Sequence, residues 1–90
     1  MITATEHAAY LGYTIGYDLP LEDRRNVAAL AASDDRHDLV KLDRIIAAAR
    51  PDCPRGLRVL PGQADYETAF RSNFLDGATA PGQHRKLVDA

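Results

Sequence analysis

Apolar residues recur most regularly between residues 34 and 50. Leu39, Leu42, Ile46 and Ala49 stand at i, i+3, i+7 and i+10, and Val40 and Ile45 widen the stripe. That spacing is one face of a helix from about Asp34 to Arg50, ended by Pro51. Tyr66, Phe70 and Phe74 repeat at four-residue steps with Ala69 between them, which predicts a helix starting near Ala64 or Asp65 and capped by Gly77. Thr3 followed by Glu6 fits a capping box, so a first helix starts near Ala4. It ends at Gly12, or it continues to Tyr17 with Ala8, Leu11 and Ile15 on one face and Tyr10, Tyr13 and Tyr17 on another. Gly12 and Gly16 each cost such a helix about 1 kcal/mol relative to Ala; they mark a turn or allow close helix approach.

Asp18, Leu19 and Pro20 form a boundary, since proline suits a first helical position and ends what precedes it. A second helix then runs from about Pro20 to Ala32, with Leu21, Val27, Leu30 and Ala31 facing inward and Ser33, Asp34 and Asp35 closing it. Residues 51–56 are a turn-rich loop, Leu57 to Leu60 a short extended segment closed by Pro61 and Gly62, and Gln83 to Ala90 a possible last turn or two. The extended segment has no strand partner in the pattern and is expected to pack beneath the helices. The reading is all-α: one domain over residues 1–90, a small bundle of four to five short helices with one extended segment near residues 57–60. Its core comprises Leu11, Val27, Leu30, Leu39, Leu42, Ile46, Tyr66, Phe70 and Phe74.

Composition narrows the class. Apolar residues make up 46% of the 90, charged ones 27%, and the net charge is -2, which excludes a disordered acidic tail and a strongly basic arm. A chain of this length buries roughly 60–65% of its unfolded surface. Much of its apolar content is alanine, in runs such as Ala47-Ala48-Ala49, so closely packed helices are favoured over a roomy pocket. One cysteine, no basic leader and no long apolar stretch point to the cytoplasm and to no membrane span. Arginine outnumbers lysine, which reads as the codon bias of a GC-rich bacterium or its phage.

Candidate chemistry is sparse. His7, His37 and His84 lie in separate regions without zinc-ligand spacing, and Gly12 and Gly16 lack the Lys-Ser/Thr of a phosphate loop. Cys53 lies between prolines, with no helix start directly after it to activate the thiol. The expectation is therefore no enzyme, no metal and no cofactor. Residues 27–46 superficially follow a helix–turn–helix, with Arg36, Lys41 and Arg44 on the second helix and Arg50, Arg55 and Arg58 around the next loop. Against nucleic acid stand the net acidity and the carboxylates of Asp34, Asp35 and Asp38 at the end that would enter a groove. The alternative role of the second arginine group is to cap helix carbonyls.

Protein recognition is the leading expectation. Interfaces favour tyrosine and arginine over lysine. The candidate contacts are Tyr13, Tyr17, Arg24, Arg25, Asp34, Asp35, Arg36 and Asp38, and the carboxylates suit a basic surface on a larger protein or nucleoprotein complex. Tyr10 and Tyr13 either serve such a surface or pack inward with their hydroxyls at the rim. In size and charge alone the chain resembles small phage-encoded inhibitors such as anti-CRISPR proteins. That resemblance implies a non-enzymatic module that occludes a partner's surface, and it assigns no residue a role.

Overall fold

A computed structural model describes residues 2–81 and contains α1 (Ala4–Asp18), α2 (Leu21–Ala31), α3 (Arg36–Ala49) and α4 (Tyr66–Thr79). No strand forms among the described residues. The predicted turn over residues 83–90 lies outside them. Side chains written into the sequence start three of the helices. Thr3 and Glu6 close the capping box of α1, with Thr3 Oγ1 accepting from the Glu6 N–H at 3.1 Å. Asp35 accepts from the His37 N–H at 2.9 Å, and Asp65 from the Thr68 N–H at 2.7 Å. That last bond holds the Asp65 carboxyl below the usual aspartate range. Pro20 occupies the cap position of α2, one residue outside the helix, with Glu22 and Asp23 in the first turn.

The core is built on α1 and α4. Ala4, Ala8, Gly12 and Gly16 are all buried and form a stripe at four-residue steps along α1. Opposite them α4 buries Tyr66, Ala69, Phe70, Phe74, Gly77 and Ala78. Gly12 faces the backbone at Phe70 and Phe74, Gly16 the backbone at Phe74 and Ala78, and Gly77 that at Tyr13 and Tyr17. Numbers rise together on both helices, so α1 and α4 run parallel. A Cβ on Gly12 would lie within 2.5 Å of the Phe70 carbonyl oxygen. It would lie closer still on Gly16 to the Phe74 oxygen, and on Gly77 to the Tyr13 oxygen. Backbones thus touch where an ordinary interface interposes side chains.

This packing revises several expectations. α1 passes through both glycines, because close approach to α4 repays the helix propensity they lack. Gly77 lies inside α4 rather than capping it, for the same reason. Phe70 and Phe74 are fully buried and stacked at 5.9 Å, and Val27, Leu42 and Ile46 join them. Leu11 and Leu30 are only partly buried against that cluster. Leu39 is 37% exposed, because the inward arc of α3 is taken by Leu42 and Ile46. Leu21 and Ala31 also lie on the surface, since Arg24 and Val27 occupy the inner face of α2.

Residues 50–65 return the chain to the start of α4. Gly56 and Gly62 turn it with φ of 89° and 84°, values that an L side chain resists. Two bonds fasten this segment to α1: the Ala4 N–H donates to the Arg58 carbonyl at 2.9 Å, and the Thr5 hydroxyl donates to the Ala64 carbonyl. The first satisfies an N–H that the helix start leaves free. Of the extended segment expected beneath the helices, only Leu57 reaches the core, while Val59 and Leu60 are exposed. The capped turns and the α1 contacts set the path of this stretch, and they leave those two side chains on its outer side.

Candidate interaction surface

The inner stripe of α1 fixes what its outer side presents. With about 100° per residue, Tyr10, Tyr13 and Tyr17 fall within about 60° of arc, across the helix from the small residues. Tyr10 is 68% exposed and Tyr13 42%, so both point outward rather than into the core. Tyr13 and Tyr17 stack at 5.9 Å and, with Thr14 and Asp18, border a shallow groove of about 370 Å³. Tyr17 is half-buried, and its hydroxyl donates to the Pro81 carbonyl at 3.0 Å.

Arg24 stands beside this groove but does not serve it. It is 4% exposed, with its guanidinium 4.7 Å from the centre of the Tyr17 ring. Its Nε donates to the Ala78 carbonyl at 3.1 Å, and its Nη2 to the carbonyls of Gly77, at 3.3 Å, and Ala80. The last turn of α4 carries no basic residue of its own. Arg24 therefore supplies, from α2, the cation and donors that the open carbonyls of that helix end require. The expectation that it contacts a partner is corrected: the side chain is buried and its Nε and Nη2 donate to α4, while Nη1 is buried with no hydrogen-bond partner among the described residues. Its neighbour Arg25 is exposed and borders a cleft of about 200 Å³ with Leu21, Ala28 and residues 78–80.

The predicted partner contacts divide into two groups. Tyr13 and Tyr17 on α1 and Arg24 and Arg25 near the start of α2 form one group, whereas Asp34, Asp35, Arg36 and Asp38 follow the end of α2, an 11-residue helix about 16 Å long. Asp35 is occupied as a cap, and Asp38 is half-buried and accepts from the Ser33 hydroxyl at 2.7 Å. Ser33 in turn accepts from the Asp35 N–H at 3.0 Å. These two carboxylates build the α2–α3 turn, while Asp34 is exposed.

The predicted nucleic-acid contacts also divide. Arg36, Lys41 and Arg44 share the exposed side of α3. Arg50 turns instead to Glu67 at 3.5 Å and, with the Arg71–Asp43 pair, bridges α3 to α4. Arg55 and Arg58 are exposed on the 50–65 segment. Arg50, expected to cap helix carbonyls beside its loop, pairs with Glu67 instead; the helix end that an arginine does cap is that of α4, by Arg24.

One polar pair, a half-buried histidine and a buried tyrosine, escaped the sequence. His7 and Tyr66 stack at 6.2 Å, and neither His7 Nδ1 nor the Tyr66 hydroxyl has a protein partner among the described residues. Burial pushes the Tyr66 phenol up, with Cys53 and Asp52 adding to the effect and Arg50 opposing it. Both residues look like ordinary helix positions in the sequence, and nothing in their spacing, about sixty residues apart, brings them together. Cys53 is exposed. Among the described residues no three His, Cys, Asp or Glu side chains cluster as a metal site would need, and no helix is long and apolar enough to cross a membrane.

These features define an all-helical protein organised around a parallel, glycine-packed helix pair. No protein-family model, curated protein or solved structure matches this chain.

Proposed function

We propose that this protein is a non-enzymatic binding module that occupies a surface of a larger protein or nucleoprotein assembly and inhibits it by occlusion. The outward tyrosine face of α1 carries this reading: Tyr10 and Tyr13 are 68% and 42% exposed on a helix whose other side is locked against α4. Tyrosine offers large rigid contact area at low entropic cost, and such residues dominate binding energy in protein interfaces. A rigid backing helix reduces the ordering cost of association further. Thr14 and Asp18 on the groove rim supply polar contacts for register.

The test uses the chain as bait in its native cells, followed by affinity measurement on the purified stoichiometric partner. Tyr10→Ser with Tyr13→Ser is expected to weaken that complex at least tenfold while the helical spectrum is unchanged. Asp34→Lys, at the far end of α2, is expected to change it less than twofold. Wild-type affinity in the tyrosine variant overturns the reading.

A further inference from the structure

We infer that the outer face of α3 is a second, independent docking surface, and that it fits the phosphate backbone of double-stranded nucleic acid. Arg36, Lys41 and Arg44 are exposed there and fall within about 140° of arc, across the helix from the buried Leu42 and Ile46. No carboxylate lies in that arc. Asp38 is turned to the Ser33 hydroxyl, Asp43 to Arg71 of α4, and Asp35 to the His37 N–H. Of the acidic residues that made the sequence of this region look unsuited to phosphate, Asp38 is thus turned away from the cationic face, while Asp34 and Asp35 stay exposed at the helix start, outside the arc.

Shape agrees with charge. Between the cations the arc carries Val40, Ala47, Ala48 and His37, all exposed, so no acidic group stands between them. The helix with its side chains is about 10–12 Å across, about the width of a major groove, and Arg36 and Arg44 are eight residues apart, about 12 Å along the axis. With the helix along the groove, Arg36 and Lys41 at opposite edges of the arc face its two walls, and the planar guanidinium groups of the arginines suit phosphate oxygens. The exposed Asp34 at the start of α3 opposes insertion of the helix end. The helix therefore lies side-on in the groove rather than entering tip-first as a recognition helix does.

The experiment is fluorescence anisotropy of a labelled mixed-sequence 20-base-pair DNA duplex with the full chain, titrated between 50 and 200 mM KCl. Neutralising about three phosphates gives a slope of about -2.7 in log K against log salt, or about 40-fold weaker binding across that range. Arg36→Glu with Arg44→Glu is expected to weaken binding at least tenfold at the low salt and to flatten the slope. Asp34→Asn is expected to strengthen binding two- to fivefold, and Arg25→Glu, exposed on α2, to leave it unchanged. Absence of saturable binding at 50 mM KCl overturns the proposal, as does unchanged binding by the α3 double variant. Equal affinity for the single strand removes the groove fit, and equal affinity for vesicles with 30% phosphatidylserine shows a membrane surface instead; either result also overturns it.

Discussion

A guanidinium that is 4% exposed has given up its water and must recover hydrogen bonds from the protein. Arg24 recovers most of them, through Nε and Nη2, from three carbonyls at the end of α4 and from the face of Tyr17, while its Nη1 is buried without a hydrogen-bond partner among the described residues. Arg24→Ala strands those carbonyls and is expected to cost about 2–4 kcal/mol, measured by urea unfolding. Arg24→Lys recovers only part of this, because an ammonium group neither forks across two carbonyls nor stacks flat on a ring. Equal stability of the alanine variant and wild type would show that α4 needs no external cap. The sequence could not separate Arg24 from Arg25, since both sit in the same charged run and the acceptors of Arg24 lie more than fifty residues away. Tyr66 presents the opposite case. Its place in the core was legible from the four-residue spacing with Phe70 and Phe74, but its hydroxyl is buried without a protein partner among the described residues. Tyr66→Phe is therefore expected to lower stability by less than about 1 kcal/mol, or to raise it. The folded phenol ionises above the usual 10.0. As pH rises through 10.0 the unfolded chain releases this proton while the folded chain keeps it, so stability falls. In Tyr66→Phe that part of the alkaline loss is absent, which urea midpoints on both sides of 10.0 would reveal.

At the scale of elements, α1 shows how packing reverses a local preference. Alanine at Gly16 would gain about 1 kcal/mol of intrinsic helix propensity. Its Cβ would meet the Phe74 carbonyl oxygen, which belongs to the backbone of a helix and has no rotamer by which to yield. The helices must then separate, opening the layer around Phe70 and Phe74. Overpacking of this kind costs typically about 1–3 kcal/mol, so the net effect of Gly16→Ala is destabilising, read as a lower melting temperature. A higher melting temperature would show that the α1–α4 contact is loose enough to admit a methyl group. Helices written by their own residues were legible: the capping box at Thr3, the α3 stripe of Leu42 and Ile46, and the aromatic repeat of α4. Contacts between elements were not. The glycines read equally as a turn or a close approach, and the choice depends on which helix lies opposite. The segment over residues 57–60 read as an apolar run seeking cover, yet its path is set by Gly56, Gly62 and the bonds from α1.

For the whole molecule, extents of 38 × 36 × 20 Å describe a slab about two helix diameters thick. So thin a body cannot bury every helix equally. α1 and α4 share the closest contact and most of the buried residues, and α2 lies against α4 through Arg24 and Val27. α3 buries only Leu42 and Ile46 and packs mainly on α2. Two ion pairs tie α3 to α4, Arg50–Glu67 and Arg71–Asp43; both are partly exposed, and such pairs contribute little. Local opening is easiest where buried apolar contact is least. Amide hydrogen exchange is therefore expected to be slowest in α1 and α4, where opening requires the whole core to separate. It should be faster in the outer turns of α3, and fastest in residues 51–63, which lack regular hydrogen bonding. Exchange in α3 as slow as in α4 would mean that the slab opens only as one unit. The same measurement bears on both surfaces. A ligand that binds the folded form raises protection most where it contacts the less stable element. A DNA duplex held by Arg36, Lys41 and Arg44 should thus slow exchange chiefly in α3. A protein partner seated on Tyr10 and Tyr13 meets a helix already protected by its glycine contacts, and should leave α3 exchanging as in the free chain.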